Sequence, residues 1–76
     1  MSRLPRLSGS EIVKILVKEF GFTPARRSGS HLVLKKFVEG KKVVTIVPMH
    51  KEVKFGTLMG ILDLAKIDKE EFMKRL

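Results

Sequence analysis

The chain has 76 residues, enough for one compact domain around a single small core and too few for two. It has no cysteine, which excludes disulfides and cysteine-based zinc sites and predicts a reducing, cytoplasmic setting. Sixteen Lys and Arg against eight Asp and Glu give a formal charge of +8, and the whole excess precedes Phe55: residues 1–54 hold twelve basic and four acidic side chains, residues 55–76 four of each. Such a field favours a polyanionic partner, nucleic acid first, although an acidic protein or an anionic membrane would feel the same attraction and a solvated surface needs no partner at all. The opening stretch "MSRLPRLSGS" lacks the apolar stretch of a signal peptide, and no later run approaches the ~20 residues that span a bilayer, so a soluble chain without membrane attachment is expected.

In chain order, residues 1–7 are expected to be flexible and residues 8–76 to form the single domain. Ser8-Gly9-Ser10-Glu11 fits a capping box, and Ile12, Val13, Leu16, Val17 and Phe20 then recur at helical spacing to give one apolar face that Gly21 ends. From Phe22 to Ser28 the pattern is mixed, and Pro24 restricts any strand there to a sheet edge or to the residues after the proline. His31–Val38 and Val43–Val47, rich in β-branched residues, are joined by Glu39-Gly40-Lys41-Lys42 and read as a hairpin, which Pro48 stops. Beyond "MHKEVKF", Leu58, Ile61, Leu62 and Ala65 define a second apolar helix face with Thr57 as its expected cap. Asp68-Lys69-Glu70-Glu71 opens a short last helix expected to turn Phe72 and Leu76 inward.

The order α-β-β-β-α-α predicts an α+β domain: a small three-stranded antiparallel sheet with helices on one face, leaving the other face free. It is the element order of a double-stranded-RNA-binding-like topology with a short extra C-terminal helix; a small α+β module of other connectivity is the alternative.

His31 and His50 are the only histidines, and each stands at a strand terminus beside chain breakers, Gly29-Ser30 before the first and Pro48 before the second. A strand end holds a side chain rigidly while leaving it in solvent. Neither histidine has the spacing of a metal-binding motif such as His-Glu-x-x-His, so no metal and no other cofactor is expected. Cleavage of RNA by its own 2′-hydroxyl needs a base, an acid and cations around the phosphorane. Imidazole supplies either proton step near neutrality, each worth ~10²–10⁴ in rate. Arg26, Arg27, Lys35, Lys51 and Lys54 are the candidate RNA-binding cations, and Ser30 and His50 the auxiliary candidates beside His31.

Taken together, "GSH" at 29–31, "VPMH" at 47–50 and "GTLMGIL" at 56–62, preceded by a capped helix ending in "GF" at 21–22 and followed by "AKIDKEEF" at 65–72, resemble the HicA family of toxin mRNA interferases over nearly the whole domain. The resemblance implies a double-stranded-RNA-binding-like fold, cleavage of single-stranded mRNA without a metal, and neutralisation by a HicB-like antitoxin encoded alongside. It also makes His31 the catalytic histidine of the Gly-Ser-His motif. Two positions depart from the family's pattern. Leu32 stands where a second histidine is common, and Lys66 where a glycine would give the helix an easy left-handed ending. Three function classes follow: a histidine-dependent endoribonuclease, preferred on the resemblance; an RNA-binding module without chemistry; and a protein-interaction domain. For any antitoxin, the basic residues Arg26, Arg27, Lys35 and Lys51 predict an acidic docking surface.

Overall fold

The computed structural model describes residues 6–76, so most of the expected flexible segment 1–7 lies outside the described residues. Helix α1 spans Gly9–Phe20, strands β1, β2 and β3 span Thr23–Ser28, His31–Val38 and Lys41–Pro48, and helices α2 and α3 span Phe55–Ala65 and Lys69–Met73. The order is α-β-β-β-α-α with an antiparallel sheet β1-β2-β3, an α+β fold as expected.

The capping box is present in full: the Ser8 hydroxyl accepts from the Glu11 amide and the Glu11 carboxylate accepts from the Ser8 amide at 2.8 Å. Gly21, at φ +78°, ends α1 in the left-handed region that glycine enters without steric cost. Lys36 donates to the Phe20 carbonyl at 3.0 Å and lies over the Phe22 ring, setting a cation where the helix dipole is negative. The β2–β3 connection is a two-residue turn, Glu39-Gly40, with both φ values positive, the type I′ signature that matches strand twist; Lys41 and Lys42 belong to β3 rather than to the turn. β1 is an edge strand that contains Pro24, and a register shift between Pro24 and Arg26 makes Ala25 a bulge.

Register assigns the faces. Leu34 with Thr45, and Leu32 with Val47, point to the helices. There Leu34 and Val47 join Ile12, Leu16, Phe22, Leu58, Ile61, Leu62, Ala65 and Phe72 in one core. Thr45 is the one buried polar residue among those described, and its hydroxyl donates to the Ile61 carbonyl at 2.7 Å, tying β3 to α2. Leu7 is also in the core and bridges Val53.

Three local expectations change. α2 begins two residues earlier than Thr57, at Phe55, with Lys54 at the cap position and no side-chain cap bond, so Thr57 lies inside the first turn. Lys66 adopts the left-handed ending (φ +62°) despite its side chain. The bond from the Ile67 amide to the Leu62 carbonyl at 2.9 Å, with Ile67 packed on the core, offsets a backbone cost of ~1–2 kcal/mol. Val17 and Leu76 are not inward: they keep 37% and 52% exposure, because the core side of α1 is filled by Ile12 and Leu16, and that of α3 by Phe72.

Candidate active site

His31 is the first residue of β2, paired with Ser28 on one side and Pro48 on the other, so two neighbouring strands fix its backbone while its side chain stays exposed. The Gly29-Ser30 turn delivers it, with Gly29 at φ +59°. His50 follows β3 by two residues, outside any regular element, yet its segment is held at three points. The Met49 amide donates to the Ser30 carbonyl at 2.6 Å, the Gly9 amide to the His50 carbonyl at 2.9 Å, and the Val53 amide to the Leu7 carbonyl at 2.7 Å. Gly9 opens α1, where backbone amides have no partner within the helix; the His50 carbonyl supplies one.

That contact is possible only because residue 9 has no side chain. A Cβ there would overlap the Pro48 carbonyl and stand 2.8 Å from the Met49 Cα. The beginning of the first helix therefore rests directly on the chain that carries His50. Sequence reasoning treated Gly9 only as a residue of the capping box; the available signal was a poor helix former at the first helical position.

The two imidazoles face one another edge to face, ring centroids 6.5 Å apart and planes at 65°. They line an open cleft of about 350 Å³ together with Pro48, Glu52, Val53, Lys54 and Thr57. Lys54 and Thr57 bring the uncapped N-terminal end of α2 to the rim, adding the positive end of the helix dipole to the lysine charge. Glu52 was not among the residues the sequence singled out and Thr57 only as a helix cap; their proximity to His50 and Lys54 in the chain was the one hint of a place in the site.

The other candidate cations are dispersed. Arg26 and Lys35 project from the sheet face opposite the helices, Arg26 beside Val33 and Lys35 beside Val44. Arg27, one residue on and therefore of opposite orientation, bonds the Gly29 carbonyl at 3.3 Å. Lys51 is exposed in the segment after His50. Of the five, Lys54 alone lines the cleft. The Ser30 carbonyl is engaged with Met49, and its side chain is exposed. Among the described residues no group of three or more His, Asp or Glu side chains is arranged to hold a metal ion, and no helix is long and apolar enough to cross a membrane.

Comparison with known families gives the class of this small α-β-β-β-α-α domain with two facing histidines at one end of its sheet. The profile described as "HicA toxin of bacterial toxin-antitoxin" matches residues 9–67, so the chain belongs to the HicA toxin family. It is thus the toxin component of a toxin–antitoxin pair. No curated protein and no solved structure gives a significant match.

Proposed function

We propose that this toxin is an endoribonuclease that cleaves single-stranded mRNA in the cytoplasm through the 2′-hydroxyl of the RNA itself. The observation that carries this reading is the pair of imidazoles meeting in one cleft at 6.5 Å, with Lys54 on the same wall. His31 takes the 2′-hydroxyl proton as the 2′-oxygen attacks phosphorus; the bond from phosphorus to the 5′-oxygen breaks, and His50 gives that oxygen its proton. The products are a 2′,3′-cyclic phosphate and a free 5′-hydroxyl, with no metal in the step. Charge building on the phosphorane is met by Lys54 and the N-terminal end of α2. Arg26, Arg27, Lys35 and Lys51 hold flanking phosphates, and Ser30 serves the site through its carbonyl. The partner that restrains this activity is a HicB-like antitoxin.

The test is cleavage of a mixed-sequence RNA in EDTA, with analysis of the product ends. His31→Ala should keep the fold and RNA affinity and lose ~10² or more in rate, because only transition-state stabilisation is removed. An equal loss for His50→Ala makes the two an acid–base pair, whereas a smaller loss makes His50 a positioning residue. Retained cleavage by a folded His31→Ala protein overturns the assignment.

A further inference from the structure

Charge is sorted by element in this chain. The three strands hold Arg26, Arg27, Lys35, Lys36, Lys41 and Lys42 and contain neither Asp nor Glu; all eight carboxylates lie in helices, turns and connecting segments. On the sheet face turned away from the helices, register sets His31, Val33, Lys35 and Phe37 in one row along β2. Arg26 of β1 flanks Val33, and Ile46, Val44 and Lys42 of β3 flank Val33, Lys35 and Phe37 in turn. At ~3.4 Å per residue, Lys35 stands about 14 Å and Phe37 about 20 Å from His31 along the strand.

The ring that ends this row differs from the other phenylalanines. Phe20 and Phe72 stack on one another, Phe22 is buried beneath Lys36, and Phe55 lies under Lys69. Phe37 is 62% exposed and has neither an aromatic nor a cationic partner among the described residues. Between it and His31, the half-exposed Val44 and Ile46 form an apolar floor edged by cations. A second copy would set two such cationic faces together with no strand carboxylate to neutralise them. A single-stranded nucleic acid alternates flat apolar bases with anionic phosphates, and a row of cations leading to a free aromatic ring is its complement.

We propose that the RNA strand cut at His31 continues along β2, with Arg26 and Lys35 on its phosphates over the floor of Val44 and Ile46, and with Phe37 stacked on a base at the far end. The site then takes about four nucleotides, the lower end of the range for platforms of this kind. The inference rests on the ribonuclease reading of the cleft. It adds a substrate length and a stacking subsite in which Phe37 positions the RNA and touches no reacting atom.

The experiment has two arms. Binding of labelled RNA, from dinucleotide to octanucleotide, is titrated on the His31→Ala protein, which leaves the RNA uncut, and cleavage of the same series is followed with His31 intact. Affinity is expected to rise with length up to about four nucleotides and then to level. Phe37→Ala should weaken hexanucleotide binding about tenfold and raise KM rather than lower kcat, so that the advantage of a hexanucleotide over a dinucleotide shrinks. Its slope of log affinity against log salt should stay that of the parent, whereas Lys42→Gln should lower that slope by about 0.7. Phe37→Trp should keep the binding and Phe37→Leu lose it, which separates stacking from apolar burial. Circular dichroism checks each fold, and Phe37→Leu carries the comparison should Phe37→Ala not fold. Hexanucleotide binding by a folded Phe37→Ala or Phe37→Leu protein as tight as that of the parent overturns the proposal, as does an affinity already level at the dinucleotide. So does a Phe37→Ala protein that holds RNA as before and loses only the antitoxin, copurified as the product of the adjacent reading frame. Length-dependent binding that needs the Phe37 ring, without cleavage when His31 is intact, keeps the RNA track and sinks the nuclease reading alone; equal cleavage of dinucleotide and hexanucleotide does the reverse.

Discussion

Along β3, Thr45 and Val47 are fully buried beneath the helices, while Val44 and Ile46, each one residue away, remain partly in solvent. The same contrast runs along β2, where Leu34 is buried in the core and Phe37 stands exposed on the opposite face. Residue type is nearly the same on the two faces. What differs is whether a helix closes over it, and hence whether its burial stabilises the fold or remains available to a partner. A small domain of this kind places nearly all its stability on one side of a single sheet.

The sharpest way to break that comparison is to truncate both faces. Leu34→Ala leaves a cavity in the helix–sheet core and is expected to cost about 2–5 kcal/mol in urea denaturation, while Phe37→Thr on the open face stays within about 0.5 kcal/mol. Equal losses would make the open face structural and remove its availability. A second pair separates two helical glycines. Gly9→Ala forces a methyl into the Pro48 carbonyl and is expected to cost about 1–3 kcal/mol and to lower RNA cleavage by displacing His50. Gly60→Ala in α2 meets open space and should gain up to ~1 kcal/mol, with cleavage unaltered. Thr45→Val tests the link between sheet and helix: losing the hydroxyl bond to the Ile61 carbonyl should cost about 1 kcal/mol in thermal unfolding.

The smallest effect concerns pH. The Ser8 backbone amide, then the Ser8 hydroxyl, hold the Glu11 carboxyl below its ordinary value of 4.5. A depressed carboxyl contributes stability that is present above the unfolded value and is lost as pH falls through the folded one. Acidification below about pH 4.5 should therefore weaken the capping box, and Glu11→Gln should flatten that part of the stability–pH curve.

Much of the architecture was legible because local chemistry and tertiary packing agree in it. The Ser8 box, Gly21, the hairpin around Gly40 and the Asp68 cap are each satisfied by atoms within a few residues, and short-range pattern carries such information. Where the outcome depended on distant atoms, the sequence was silent or misleading. The Lys66 ending is overdetermined by Ile67 and Leu62, and Val17 and Leu76 are apolar residues for which the core had no room. At the candidate site, the sequence presented His31 and His50 as two separate strand-end residues; their meeting requires the register that pairs His31 with Pro48. Which of Arg26 and Arg27 faces outward depends on the bulge at Ala25, which no spacing rule reveals.

Both β1 and β3 are edge strands, and an apolar sheet face flanked by two edges is an invitation to fibrillar stacking. Pro24 and the bulge at Ala25 interrupt one edge, while Lys41, Lys42 and Pro48 bracket the other. With a net charge of +8, the unpartnered chain is kept dispersed by colloidal repulsion, a force that salt screens within about 8 Å at physiological ionic strength. Salt is therefore expected to weaken that repulsion and to promote association through the bare sheet, a rise in light scattering at fixed protein concentration being the check.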